Sequence, residues 1–210
     1  MTFGADRTRR DSLLRLALAA LVPTALAAQP EALEHQAHSE AWGLEQLMAE
    51  LGRVQHSQVR FVERKYLSVL KSPLELAGRL TYDAPDRLVK RTLEPRPETL
   101  TVQADRLVIE NPARGRNRTL LLTEYPLLWA FVESFRSTLK GDQAALERFY
   151  RIALAGSLQR WQLFLTPRDP KMRALVESIA IDGHRGRIDR IEVRESNGDR
   201  SVMTVFEDAP

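Results

Sequence analysis

From Val59 to Phe206 the sequence breaks into short segments of β character, each ended by Pro, Gly, Asp or Asn, and this succession constrains the fold most. Leu74, Leu76, Gly78, Leu80 and Tyr82 alternate most clearly, with the period of a strand that buries one face. Segments of the same kind are expected at 59–68, 87–92, 99–103, 106–110 and 118–123, and later at 161–165, 176–181, 188–195 and 201–206. Ala84-Pro85-Asp86, Glu94-Pro95-Arg96-Pro97 and Gln103-Ala104-Asp105 are too rich in Pro and Asp to continue a central strand, so they read as the turns of a meander. Asn197-Gly198 is a hairpin turn between the last two segments.

Helical spacing interrupts this pattern twice. Ser39 is placed to cap a helix with Leu44, Leu47, Met48, Leu51 and Val54 on one face. In the middle, Pro126 suits a first helical turn and Gly141 a helix end, which predicts a helix over 126–140 with Leu127, Leu128, Phe131, Phe135 and Leu139 on one side. Asp142 then caps a second helix whose apolar positions are Leu146, Phe149, Tyr150 and Ala153. Helix, antiparallel strands, helices and more antiparallel strands, without single strands alternating with helices, is an α+β order. No linker-like stretch divides the chain, so one large curved antiparallel sheet wrapped on helices is expected, with residues 39–210 as a single domain.

The first residues read as an export signal. Arg7, Arg9, Arg10 and Arg15 flank an apolar run from Leu13 to Leu26, and Ala25-Leu26-Ala27 is a small-x-small cleavage site, so 1–27 is expected to be a signal peptide and Ala28 the mature start. Both Sec and twin-arginine export fit, and both deliver to the periplasm. Residues 28–38 are polar, without periodicity, and read as a loose tail. The 210 residues hold 31 Lys and Arg against 28 Asp and Glu. Without the leader's four arginines and two aspartates, 27 basic side chains face 26 acidic ones, a formal +1, too little to suggest a nucleic-acid partner. The absence of Cys excludes disulfides, thiolate metal sites and a lipidated anchor.

Catalytic and cofactor motifs are absent too. There is no HExxH, no Gly-x-Ser-x-Gly elbow and no Gly-rich phosphate loop. Of the histidines, His35 and His38 fall in the polar tail, while Asp182-Gly183-His184-Arg185-Gly186 reads as a turn. No catalytic residue, metal or cofactor is therefore expected.

Several pieces, taken in order, resemble the LolA-type periplasmic carriers of acylated lipoproteins. They are the leader without a lipidation Cys, the amphipathic helix, Val59-Arg60-Phe61-Val62-Glu63 where that family has a Phe-x-Gln strand, and Gly78-Arg79-Leu80 on the next strand. Ala84-Pro85-Asp86-Arg87-Leu88, Thr92-Leu93-Glu94-Pro95, Ala104-Asp105-Arg106-Leu107 and the stretch from Trp161 to Pro167 continue the likeness. The resemblance implies a strongly curved antiparallel sheet, an open, half-closed β-barrel, whose helices act as a lid over an apolar cavity. It implies acylated lipoprotein or lipid-like cargo, an inner-membrane exporter as donor and an outer-membrane acceptor, with the protein a periplasmic monomer. The alternative is a periplasmic lipid-sensing regulatory domain acting through a membrane partner; an exported lipid hydrolase is a third class.

The cavity would draw a subset of Phe61, Leu76, Leu80, Leu88, Leu100, Val102, Leu107, Ile109, Leu120, Leu122, Leu163 and Leu165, covered by Leu128, Phe131 and Phe135 from the middle helix. It is a subset because a one-residue slip at any turn reverses which face a strand presents. Two positions depart from the family pattern. Ala84 stands before Pro85, where the carriers have a lid-closing Arg, and Lys90, followed by Arg91, stands where a large aromatic is expected. By alternation Lys90 shares a face with Leu88, so its ammonium pairs with a carboxylate of the protein, snorkels to solvent, or, together with Arg91, meets an acidic group of the cargo.

Overall fold

A computed structural model describes residues 42–112 and 115–207. The expected signal peptide, the polar tail and Ser39 lie outside the described residues. The first helix, α1 (Leu44–Gly52), starts after an N-cap at Gly43, whose backbone N–H is bonded by Gln46, and buries Leu47, Met48 and Leu51. Six strands follow: β1 (His56–Tyr66), β2 (Leu74–Asp83), β3 (Arg87–Glu94), β4 (Glu98–Gln103), β5 (Arg106–Asn111) and β6 (Arg116–Leu121). A 3₁₀ turn over Leu122–Glu124 leads into α2 (Pro126–Lys140) and α3 (Gln143–Phe149), the latter capped by Asp142. Then come β7 (Tyr150–Ser157), β8 (Arg160–Pro167), the one-turn α4 (Pro170–Arg173), β9 (Val176–His184), β10 (Arg187–Glu195) and β11 (Arg200–Glu207).

The eleven strands form one antiparallel sheet in the order β6-β5-β4-β3-β2-β1-β11-β10-β9-β8-β7. Two meanders are joined where the first strand pairs with the last, Phe61 opposite Val205 and Glu63 opposite Met203. Consecutive strands β6 and β7 therefore lie at the two outer edges. At ~4.8 Å per strand those edges would be about 50 Å apart if the sheet were flat. Helices α2 and α3 would span only about 33 Å end to end. The sheet bends toward them, and the helical connection crosses its concave face. The sheet is not closed into a barrel, and the α+β class and curved open sheet expected from the sequence are the observed ones.

Two corrections concern the elements. Tyr150 and Ala153 do not continue α3; they belong to β7, where Tyr150, Ile152 and Leu154 alternate inward and pair with Pro167, Leu165 and Leu163. Asp182, Gly183 and His184 are not a turn but the end of β9, the reversal falling at Arg185 and Gly186. Gly183 is needed there for space, since the Trp161 ring covers it and a Cβ would stand 2.3 Å from that ring.

The concave face divides into two apolar clusters. On β7–β9, Leu163, Leu165, Ile179, Ile181 and Trp161 are fully buried beneath α1 and α3 through Leu47, Leu51 and Leu146. On the other side, Val102 of β4 and Leu107 of β5 pack with Leu122 of the 3₁₀ turn and Val132 of α2. The helices meet at glycines: Gly141 ends α2 with a left-handed φ of 68°, and a Cβ there would stand 2.0 Å from the Met48 carbonyl oxygen. Gly198 also has positive φ, 89°, but open space around it. Gly198→Ala should therefore cost about 1 kcal/mol, the conformational term alone, and Gly141→Ala roughly 2 kcal/mol or more. Denaturant midpoints compare the two; equal losses would mean that α1 does not rest on Gly141.

Candidate functional site

The stretch of concave face between the two clusters is not filled by side chains. It bounds a cavity of about 700 Å³ between the sheet and α2. Lining residues come from β5 through β1 to β9, an arc that would measure about 35 Å if flat. Leu80, Leu88, Leu100, Val102 and Leu107 line it from the sheet, and Leu128, Phe131 and Phe135 from α2. Phe131 and Phe135 meet edge to face with centroids 5.1 Å apart, which fixes both rings over the space. The register explains the grouping: Leu107, Val102, Leu88 and Tyr82 stand opposite one another on adjacent strands, as do Leu100, Lys90, Leu80 and Val59.

The other expected residues lie elsewhere. Leu163 and Leu165 are core, because α1 and α3 cover their half of the sheet. Ile109, Leu120 and Leu122 belong to the cluster against α2. Leu76 lies opposite Glu63, half-buried and outside the lining. Phe61 is buried over Gly78, its Cε1 2.9 Å from where a Cβ would be, and borders a more open depression of about 440 Å³ with Arg79, Leu93 and Phe206. Arg91 is exposed and stands opposite Arg79, itself opposite Arg60, on the convex face; as Lys90's sequence neighbour it has to point the other way.

Other lining residues are ones the sequence reading did not select. Val59, Ile191, Val193, Met203 and Val205 extend the apolar wall across β1, β10 and β11. They lie in segments recognised as strands, and their alternation was the available signal. The rim is polar: His184 Nδ1 lies 2.7 Å from Asp189, His56 Nδ1 lies 2.6 Å from Asp83, and Arg187 pairs with Glu207.

One polar group is set into the wall itself. Glu63 is buried, pairs with Lys90, accepts a 2.6 Å hydrogen bond from Ser201 Oγ and has Lys65 Nζ at 3.7 Å. Lys90 reaches across β2 to it, its ammonium 5.1 Å above the Phe61 ring. Burial alone would raise the Glu63 pKa, but the charge and hydrogen bond of Lys90, with Ser201 and Lys65, outweigh it and hold the carboxyl below its ordinary 4.5. The resulting stabilisation is complete above that ordinary value and lost as pH falls through the lowered one.

Residues 36–209 match the family described as outer membrane lipoprotein carrier protein LolA-like. The chain belongs to this family. Its fold is similar to that of a LolA superfamily protein from Nitrosomonas europaea, at 12% identity over 80% of this chain and 93% of that one, with a TM-score of 0.43. It is also similar to a chain of the Pseudomonas aeruginosa MucA/MucB complex, at 11% identity over 80% and 58%, TM-score 0.42, and to LprF from Mycobacterium bovis, at 12% over 77% and 90%, TM-score 0.35. No curated protein matches the chain.

In this LolA-like chain a cation joins α2 to the turns of the sheet, and it comes from the helix. Ala84 has no charge to offer, and Arg136 of α2 reaches the same turn instead. Its Nη1 donates to the Ala104 carbonyl at 2.9 Å, and its Nη2 lies 3.6 Å from Asp86, which also accepts the Ala104 N–H at 3.1 Å. The guanidinium is buried, so one side chain ties α2 to the β2–β3 and β4–β5 turns. Charge-assisted bonds of this kind contribute about 1.5–3 kcal/mol each. Arg136→Met should therefore speed hydrogen exchange of α2 amides about ten- to a hundredfold, with β8 and β9 unchanged. Unchanged exchange in α2 would show that apolar packing alone holds the lid.

Proposed function

We propose that the protein is a periplasmic carrier that takes the acyl chains of a lipoprotein, or another lipid-like amphiphile, into this cavity and moves it between the inner and outer membranes. The observation that carries the reading is the partly open cavity of about 700 Å³, mostly apolar in its lining, between sheet and helix. That volume falls within the roughly 300–1,000 Å³ of small-molecule sites. An acyl chain loses about 0.8 kcal/mol for each CH₂ exposed to water, so transfer between membranes needs an enclosed greasy surface that can open again. A cavity roofed by one helix, itself tied by one arginine cluster, offers both. Membership of a family described by lipoprotein carriage supports the same reading.

The rest of the proposal follows from the sequence: export with cleavage before Ala28, residues 39–210 acting as one binding domain, and no catalytic residue or cofactor. None of the described helices is long and apolar enough to cross a membrane. Loading from an inner-membrane donor and delivery to an outer-membrane acceptor complete the cycle.

A fatty acid with an environment-sensitive fluorophore at its far end should bind saturably. Leu88→Glu or Phe131→Glu, each placing a carboxylate in the lining, should weaken it at least about tenfold in protein that keeps its circular dichroism spectrum. Unsaturable binding, or binding by both folded variants as tight as that of wild type, would refute the reading.

A further inference from the structure

The wall of the cavity is mostly apolar, and its buried charged group lies where Glu63, Lys65, Lys90 and Ser201 come together on β1, β3 and β11. This group is built rather than incidental. Lys90 has to cross a whole strand to reach Glu63, and β2 lets it pass by presenting Gly78 there, over which Phe61 lies flat enough to receive the ammonium on its face. Both lysines are directed at one carboxylate, which also accepts the Ser201 hydroxyl. The cluster thus holds two positive charges and one negative.

Hydrogen-bond capacity points the same way. An ammonium has three donors, and among the described residues Glu63 is the only hydrogen-bond or ion-pair partner of Lys90 and of Lys65. The Glu63 oxygens are engaged, whereas the two lysines keep donors to spare beside the cavity. Of the other carboxylates in the lining, Asp189 and Glu207 are taken by His184 and Arg187, and Glu195 stands at the end of β10, outside the hydrogen-bonded cluster. For stability alone, an apolar pair would serve as well in such a wall.

Resting on the carrier reading above, we infer that the cargo is an anionic amphiphile whose acidic head binds Lys90, assisted by Lys65, in competition with Glu63. Glu63 is then the internal anion that occupies Lys90 between loads. It keeps the ammonium paired when no cargo is held, and it weakens the grip on the head enough for delivery. The chain supplies affinity through the apolar wall, and the head supplies selectivity through the cluster.

The test compares a long-chain fatty acid carrying a dansyl group at its far end with the methyl ester of the same molecule. Wild type should bind the acid about tenfold more tightly than the ester, the scale of one charge-assisted hydrogen bond. Glu63→Gln, which removes the competitor and keeps the shape, should tighten the acid by a further five- to tenfold or so and leave the ester unchanged. Lys90→Met should abolish the preference while retaining the ester. The double variant Glu63→Gln/Lys90→Met removes one charge of each sign and guards against misfolding from an unpaired buried group; it should bind both ligands equally. Equal binding of acid and ester by wild type and Glu63→Gln would overturn the inference and leave the carrier reading standing. Failure of folded wild type to bind either ligand would overturn both.

Discussion

The connection from β6 to β7 is the constraint on which the rest of the structure depends. These strands follow one another in the chain yet form opposite edges of an eleven-stranded sheet. Everything between them, including α2 and α3, has to cross one face, and α2 and α3 by themselves are shorter than a flat sheet of this width. Bending brings the edges within reach and makes that face concave. One helix, α2, then serves two apolar clusters, with Ala130 in one and Val132 in the other. Between them the concave wall faces space rather than another element.

Two electrostatic groups govern that space, and they differ in kind. Arg136, Asp86 and Ala104 join lid to sheet through bonds that any displacement of α2 would break together. Glu63 and Lys90 lie on the sheet alone, so they stay in place whether α2 is docked or not. In the proposed carrier, lid opening and head-group recognition would therefore be separable.

Local chemistry made much of the fold legible. Pro126 and Gly141 bracket α2, Asn197-Gly198 turns the last hairpin, and the alternation from Leu74 to Tyr82 is that of β2. β7 escaped notice because Leu146, Phe149, Tyr150 and Ala153 satisfy a helical spacing while Tyr150, Ile152 and Leu154 satisfy a strand's. Ser39 is a good capping residue, but the helix begins at Leu44, with the Gln46 side chain closing its first turn. For the cavity, alternation tells which residues share a face but not what covers that face. Leu163 and Leu80 look alike in sequence; one lies under α1 and α3, the other beside open space. Alternation likewise put Lys90 on the face of Leu88, whereas its partner Glu63 is 27 residues away and two strands over. Lys90 stands where the resemblance to the carriers implies an aromatic, and only the fold brings it to Glu63.

The central claim is that the cavity carries an amphiphile, and native mass spectrometry of the protein released gently from the cells that produce it tests it most directly. The account predicts a chain beginning at Ala28, with a fraction bearing one added mass that is lost on extraction into organic solvent and recovered there as an acidic lipid-like molecule. A ligand-free chain that also takes up nothing when incubated with the organism's own membrane extract would contradict it.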